Sequence, residues 1–399
     1  MIPVISTLAV LFWISVGSII YTYFGFPLLI TLLARFRPPL RFDELKDNLP
    51  MVTLLIAAYN EELAIEDKIK NSLNLDYPKD RLQILIINDG SSDRTHDILN
   101  AYAGRGIEVF HQPQRGGKMA AINRGIAEAR GEIILFSDAN NTYQPDTIKK
   151  MIAPFNDPKI GAVSGAKVIE KGDGGLGESE GLYWKYESYI KKQESRLGSC
   201  TSATGEILAI RKSKYVAPPQ GIINDDFYTA MQVIRQGDRL VYVPEAKSSE
   251  RVSLTAQDEV KRRARINAGR YQSFALTKHT LPIKNPLVMW QIFSHKFLRL
   301  MLPFLMIGAA LTNLAIVLLP SSSNNFWLLG KPYGLIFLVG QVVFYTLALI
   351  GDYLPKTNKF ARLLYLPTFL TNSNIASLQG FVRFLRGGEL HLWERIDRR

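Results

Sequence analysis

Four carboxylates and two cations in this chain have the side-chain types and surroundings to do chemistry. Asp89 lies in "INDGSSDRT", where an ionised carboxylate can accept hydrogen bonds from the N–H edge of a base such as uracil; the same composition also suits an Asx-type turn, and both readings fit. Lys118 follows two glycines and offers a compact ammonium that can neutralise a pyrophosphate, or simply sit in solvent. Asp138 lies in "LFSDANN" and can equally serve as a helix N-cap or turn residue. The adjacent pair Asp225 and Asp226 in "INDDFYTA" can take a proton from a hydroxyl, or can begin a helix whose first turn favours negative charge. Arg265, in "KRRARINAGRYQ", carries a planar fork matched to phosphate oxygens, within a cluster that also reads as a basic helix on a membrane surface.

Positioning these groups requires a scaffold, and the hydrophobic pattern supplies one. Val52 to Ala58 is a continuous apolar run, Ile65, Ile69 and Leu73 come next at helical spacing, and Leu82 to Ile87 is a second run. The alternation continues through Ile98 to Tyr102 (helix), Ile107 to Phe110 (strand), Met119 to Ala129 (helix) and Glu132 to Phe136 (strand). It predicts an α/β domain with a mixed, mostly parallel sheet covered by helices on both faces. Ligands of such sheets bind beyond the carboxyl ends of the strands, so Tyr59 to Glu62, Asn88 to Asp93 and Ser137 to Asn140 should converge on one crevice. Neither G-x-G-x-x-G after the first strand nor G-x-x-x-x-G-K-[ST] is present, which disfavours the dinucleotide-binding and P-loop versions of this architecture.

The ends of the 399-residue chain are of another character. Residues 1 to 34 contain no Asp, Glu, Lys or Arg, and Leu8 to Leu33 is long enough to span a hydrocarbon core. It exceeds the apolar stretch of a signal peptide, and no basic residue precedes it. Arg35, Arg37 and Arg41 come directly after it and place the central domain in the cytosol by the positive-inside rule. Further spans are expected at Phe297 to Pro320 and Tyr333 to Gly351, separated by the uncharged turn Ser321 to Asn325, with Lys356, Lys359 and Arg362 returning the chain to the cytoplasm. Leu363 to Phe384 reads as interfacial or re-entrant, with Trp393 beyond it as an interface anchor. The expected division is a membrane helix over 1–36, a cytosolic domain over 45–280, an interfacial helix plus two spans over 281–362 and a membrane-associated segment over 363–399. The formal charge of +12 is concentrated beside apolar segments, so it points to anionic lipid headgroups rather than to nucleic acid. The single cysteine, Cys200, excludes an intrachain disulfide and a multi-cysteine metal site, in keeping with a reducing cytosol.

The ordered set "AAYNEE", "INDGSSDRT", "RGGKMAAINRG" and "LFSDANN", continued by "GAVSGAK", "SATGEILAIRK" and "NDDF", resembles the family 2 glycosyltransferases with a GT-A fold, over roughly residues 50 to 280. The resemblance implies that a nucleotide diphosphate sugar, UDP by default, binds at Ala58, Tyr59, Glu61, Asp89, Lys118, Asp138, Arg262 and Arg265. It implies an acceptor near Trp184, Tyr186 and Gly205, with Asp226 as the base and Asp225 as its positioning partner. Asp138 holds the first place of the family's D-x-D motif for Mg2+ or Mn2+, but the second place is Asn140, which can ligate through its amide oxygen without contributing charge. The family's Q-x-x-R-W motif also departs: Arg262 stands for Gln, Arg265 keeps the Arg and Ile266 replaces Trp. The reaction implied by the resemblance is inverting transfer at the surface of a cell (plasma or inner) membrane, in exopolysaccharide synthesis or onto a lipid carrier or glycolipid. A catalytically silent nucleotide-binding scaffold is the alternative from another class, disfavoured because Asp89, Asp138 and Asp226 are all retained.

Overall fold

Strands buried on both faces need apolar side chains at every position, and the two longest early runs meet that condition. β1 (Val52–Ala58) and β2 (Leu82–Asn88) are buried at all their residues. The computed structural model describes residues 2–43, 48–170, 174–251, 255–320, 323–351 and 359–387. Expectations placed on Ser321, Lys356 and Trp393 fall outside the described residues. The helices at the start are α1 (Ile2–Ile20) and α2 (Phe26–Ala34), joined through a π-turn over Tyr21–Gly25. After β1 come α3 (Ile65–Leu73), β2, α4 (Thr95–Tyr102), β3 (Glu108–His111), α5 (Lys118–Glu128) and β4 (Ile133–Asp138). Next are β5 (Thr142–Tyr143), α6 (Thr147–Ile152), β6 (Ile160–Ile169), α7 (Gly174–Leu197), β7 (Leu208–Arg211), α8 (Asp225–Arg235) and β8 (Arg239–Glu250). The last helices are α9 (Ala256–Ala275), α10 (Thr277–Thr280), α11 (Pro286–Ile292), α12 (Leu298–Leu318), α13 (Tyr333–Ile350) and α14 (Lys359–Arg386).

Chain contacts divide the molecule into two compact units. One contains Ile30–Ala256 and Gln272–Gln291, and its centre is an 8-stranded sheet in the order β3-β2-β1-β4-β7-β6-β8-β5. The left half, β3-β2-β1-β4, is parallel throughout, whereas β7 runs antiparallel to both β4 and β6, and β6 pairs parallel with β8. The mixed, mostly parallel sheet expected from the apolar alternation is thus the sheet that forms. Ile65 and Ile69 of α3 and Leu99 of α4 pack with Leu54, Ile56 and Ile86 on one face. On the opposite face α5 approaches so closely that a Cβ on Gly125 would lie 2.2 Å from Leu55 Cδ1.

The turn into β4 is packed against backbone. A Cβ on Gly131 would lie 2.4 Å from the Thr53 backbone nitrogen and 2.8 Å from the Ile133 carbonyl oxygen, neither of which can rotate aside. Gly131→Ala should therefore destabilise the sheet unit by about 1–3 kcal/mol, the usual cost of forced overpacking. The check is the thermal unfolding midpoint of the detergent-purified protein, which should fall.

The second unit contains the described residues of Met1–Leu29, Gln257–Tyr271 and Ile292–Arg386. Ile5, Ala9 and Phe12 on α1 pack against Ala309 and Ile316 of α12 and against Leu329. Trp13 adds edge contacts to Trp327 and Phe337, and its indole N–H donates to the Trp327 carbonyl at 2.9 Å. Three helices, Pro3–Ala34, Pro286–Leu318 and Tyr333–Ile350, are long and apolar enough to cross a membrane. These match the three spans read from the sequence, with the second starting eleven residues earlier because the helix continues through a π-turn over Phe293–Phe297. The segment from 363 belongs to one unbroken 28-residue helix, α14, with Pro367 inside it. Gly380 lets α14 press on α9, since a Cβ there would sit 2.8 Å from the Ala264 carbonyl oxygen.

Candidate active site

Strand register decides which side chains meet. Parallel pairing aligns Ala58 with Asn88 and Ala57 with Asp138, so the carboxyl ends of β1, β2 and β4 open on one edge of the sheet. Because β7 is antiparallel to β4, with Leu208 opposite Phe136, the residues entering β7, including Gly205, arrive at that same edge. The first turn of α8 brings Asp225 and Asp226. One cleft results, lined by Lys118, Ser137, Asp138, Gly205, Tyr215, Asp225, Asp226 and Thr229 over a floor that includes Leu55, Ala57, Phe136 and Leu208.

Within it Lys118 Nζ donates to Asp138 Oδ1 at 3.0 Å. Burial works against the ammonium charge, but the carboxylates of Asp138, Asp225 and Asp226 outweigh it and raise the pKa of Lys118, so the cation persists. Gly205 is a requirement of the geometry: a Cβ there would approach Asp226 Cβ at 3.2 Å and its Oδ2 at 3.4 Å. Tyr215, whose phenol donates to Asn123 Oδ1 at 2.7 Å, is shifted upward by burial and by Asp225, so it stays a neutral hydroxyl at the cleft wall. Among the described residues no three His, Cys, Asp or Glu side chains gather as a metal cluster. Asp138 with Asn140 offers one carboxylate and one amide oxygen, a donor set that fits a hard cation completed by phosphate oxygens and water, not one held by protein alone.

Asp89 is 1% exposed and acts on the cleft through the backbone. Its Oδ1 accepts the Gly116 N–H and its Oδ2 the Gly117 N–H, each at 2.8 Å, which fixes the loop that delivers Lys118. Burial raises its pKa, and those two amide donors oppose the rise. Each oxygen keeps a further lone pair for a base edge. The loops after β1 and β2 are stitched together: Asn60, at φ 53°, donates its N–H to Ser91 Oγ, and its side-chain Oδ1 accepts the Ser92 N–H. Asparagine tolerates that left-handed conformation better than most residues. Glu61 is buried, its N–H bonded to Thr95 Oγ1, and Arg115 lies over the Tyr59 ring at 4.2 Å.

The remaining expected residues lie elsewhere. Trp184 and Tyr186 sit on α7, where Lys167 and Lys191 approach the Trp184 ring at 5.5 and 5.7 Å; neither aromatic lines the cleft. Arg262 and Arg265 sit on α9 in the other unit. Arg262 forms a two-point pair with Glu259 at 2.8 and 3.0 Å, and Arg263 donates to the same carboxylate. Burial works against the Glu259 charge, but the two arginines hold its carboxyl down to about 2.

Lys68, Tyr215 and Thr229 were not anticipated from the sequence. Lys68 left a signal, since it occupies the apolar stripe formed with Ile65, Ile69 and Ser72, a position where a lysine is out of place unless bonded. Tyr215 lies after β7 in irregular chain and has no local signature.

A pH effect arises beside this site. His111 Nδ1 takes the Asn88 Nδ2–H, because Asn88 Oδ1 is occupied by the Ser91 N–H and hydroxyl. His111 Nε2 then donates to Asn100 Oδ1, which requires the neutral ring. Burial, then the neighbouring His96, lowers the His111 pKa below 6.5. The folded state thus binds fewer protons than the unfolded one just below pH 6.5, and the stability this group contributes is complete above 6.5 and lost as pH falls through the lowered value. The unfolding midpoint should drop between pH 7 and pH 5, with a shallower drop in His111→Gln.

Residues 53–216 match the family model described as Glycosyl transferase family 2. Over 240 residues the chain is 32% identical to the poly-beta-1,6-N-acetyl-D-glucosamine synthase of Staphylococcus aureus (strain COL), covering 59% of this chain and 56% of that protein. Over 131 residues it is 40% identical to the probable glycosyltransferase YdaM of Bacillus subtilis (strain 168), covering 31% of each. The chain thus matches between just under a third and just over half of the length of these curated relatives. A solved structure of the mannosyltransferase PcManGT from Pyrobaculum calidifontis, in complex with GDP-Man and Mn2+, superposes with a TM-score of 0.69 at 23% identity, covering 94% of this chain and 99% of that one. That likeness is one of fold, and the fold is GT-A. The family-model match over the β1–β7 region, the curated relatives and this fold agree that residues 53–216 form a family 2 glycosyltransferase domain.

Proposed function

We propose that this chain is an inverting glycosyltransferase that moves a sugar from a nucleotide diphosphate donor, a UDP-sugar, to an acceptor at the cytosolic face of the cell membrane, in exopolysaccharide synthesis. The observation that carries the reading is the one cleft that the Lys118–Asp138 pair shares with Asp225 and Asp226. Similarity to a poly-beta-1,6-N-acetyl-D-glucosamine synthase supports the polysaccharide product. Three helices able to cross a membrane support the location.

In this mechanism Asp226 accepts the proton of an acceptor hydroxyl as that oxygen attacks the anomeric carbon. The bond from that carbon to the diphosphate oxygen breaks on the opposite face, and its electron pair leaves with the diphosphate. Lys118 stabilises the charge that develops there, and Asp225 orients Asp226. Asp138 with Asn140 would hold Mg2+ or Mn2+, which supplies further positive charge to the leaving group. Asp89 holds the loop that presents Lys118 and offers its remaining lone pairs to the base. Tyr59 and Glu61 are assigned to the donor, and the family resemblance alone assigns Arg262 and Arg265 to its diphosphate and Trp184 and Tyr186 to the acceptor.

One feature favours a second acceptor class. Ile266 stands where polysaccharide synthases of this family carry Trp, and its side chain offers no platform for stacking a sugar, which suits transfer of one sugar to a lipid carrier. The test is nucleotide diphosphate release by the detergent-purified protein over a panel of UDP- and GDP-sugars with Mg2+ or Mn2+, native lipid as acceptor source and products separated by size. Metal-dependent release with one donor and long products is the expected result. A single-sugar lipid product selects the carrier reading. Donor binding without release, with lipid acceptor present, selects the silent scaffold.

A further inference from the structure

Behind the cleft lies a buried lysine that the proposed transfer does not use. Lys68, on α3, is 1% exposed. Its Nζ donates to Ser137 Oγ at 2.6 Å, to the Asn141 carbonyl at 2.9 Å and to Asn141 Oδ1 at 3.0 Å. Three donors facing three oxygen acceptors is the full complement of an ammonium group. Ser137 immediately precedes Asp138, and Asn141 comes immediately after Asn140, so these bonds hold the Asp138–Asn140 turn at both of its ends. The same helix grips the chain once more, three residues on: Asn71 exchanges two hydrogen bonds with the Tyr143 backbone, each 2.9 Å. The Tyr143 ring lies 4.4 Å from Lys68 Nζ.

The hold extends further behind the cleft. Asn141 Nδ2 donates to Ser248 Oγ at 2.7 Å, and the Ser248 hydroxyl donates to Glu206 Oε1 at 2.9 Å. Glu206 Oε2 pairs with Lys167 at 2.9 Å, and Lys167 also pairs with Glu250. All of these side chains are buried. Hydrogen bonds and ion pairs thus run without a break from Lys68 through Asn141 and Ser248 to Glu206, Lys167 and Glu250, and a buried polar network whose members are bonded rigidifies its surroundings. Glu206 is the neighbour of Gly205, against which Asp226 packs.

We propose that Lys68 is a positioning residue, which through Ser137, Asn141, Ser248 and Glu206 fixes the Asp138–Asn140 turn relative to the Gly205 wall of the cleft. The proposal deepens the transferase reading, because it assigns the residue that sets the geometry of the cation-holding pair. It does not require Lys68 to touch the donor.

Two measurements decide it. Hydrogen exchange needs no ligand: Lys68→Met should raise exchange of the amides of 137–143 and of 204–208 by at least tenfold, with β1 and β2 unchanged. Mn2+ binding in the presence of UDP, followed by electron paramagnetic resonance, should weaken about tenfold in the same variant, with Lys68→Arg recovering part of the loss. Ser248→Ala breaks the link while leaving Lys68 in place and guards against a fold too damaged to interpret. It should weaken Mn2+ binding severalfold with little change in unfolding midpoint, and the double variant should fall short of the product of the two losses. Unchanged exchange at 137–143, or a rise spread evenly over the whole sheet, would overturn the proposal. Wild-type protein that binds no Mn2+ with UDP would instead count against Asp138 as a metal ligand, and the exchange result would still settle the role of Lys68.

Discussion

Asp226→Asn should lower the turnover of nucleotide diphosphate release by roughly 10²- to 10⁴-fold, the range over which a positioned general base acts. The substitution keeps size and shape, which matters because Asp226 packs beside Gly205, where a Cβ would come within 3.2 Å of the Asp226 Cβ. The carboxylate lies in the first turn of α8 and its Oδ1 accepts the Phe227 N–H at 2.7 Å, a bond an amide oxygen can also accept, so the fold should be preserved. Donor affinity should change by only about threefold, because the diphosphate is assigned to Lys118 and Asp138 and not to Asp226. A loss in kcat with nearly constant donor KM is the signature sought. Turnover within tenfold of wild type would remove Asp226 from the base role, and Asp225→Asn, measured alongside, would show whether its neighbour holds that role.

Asp138→Asn is the second large effect, and it acts on the opposite side of the reaction. Asp138 is the first of the carboxylates that hold the Lys118 pKa up. Its loss removes a partner of that ammonium and the only charged donor in the Asp138–Asn140 turn. Activity should fall about 10²- to 10³-fold, the scale seen when a group that stabilises transition-state charge is deleted. The informative reading is the metal titration. Wild type should saturate with Mg2+ or Mn2+, whereas the variant should respond weakly or not at all. If the variant keeps a normal metal response, the cation is held elsewhere.

Which parts of this arrangement could be read from the residues depends on how locally each is encoded. β1, β2 and β4 stand out because a strand covered on both faces has no polar side, so Val52 to Ala58 and Leu82 to Ile87 are unbroken apolar runs. The convergence of Asp89, Lys118 and Asp138 is a result of that topology. β5 and β7 carry no comparable signal, having two and four residues, and their pairing is set by contacts distant in sequence. α7, 24 residues long, is mostly polar and has no clean stripe, so only its aromatics drew notice. The link from Lys68 to Ser248 and Glu206 joins residues brought together from α3, β8 and the turn before β7. A lysine on an apolar helix face announces that a partner exists without saying where. The role of Asp89 as a loop anchor is likewise invisible until Gly116 and Gly117 are seen to point their N–H groups at it.

The membrane unit has a consequence in time. Phe12 of the first helix finds its partners at Ala309 and Ile316, roughly 300 residues further along the chain. At a synthesis rate of about 5–20 residues per second, that interval lasts about 15–60 s. Throughout it the face formed by Ile5, Ala9 and Phe12 lacks these partners. The complete eight-stranded sheet is synthesised within the same interval. Closure of the helical unit is thus a late event in the biogenesis of this protein, and insertion factors that shelter a lone helix have their longest opportunity to act before it.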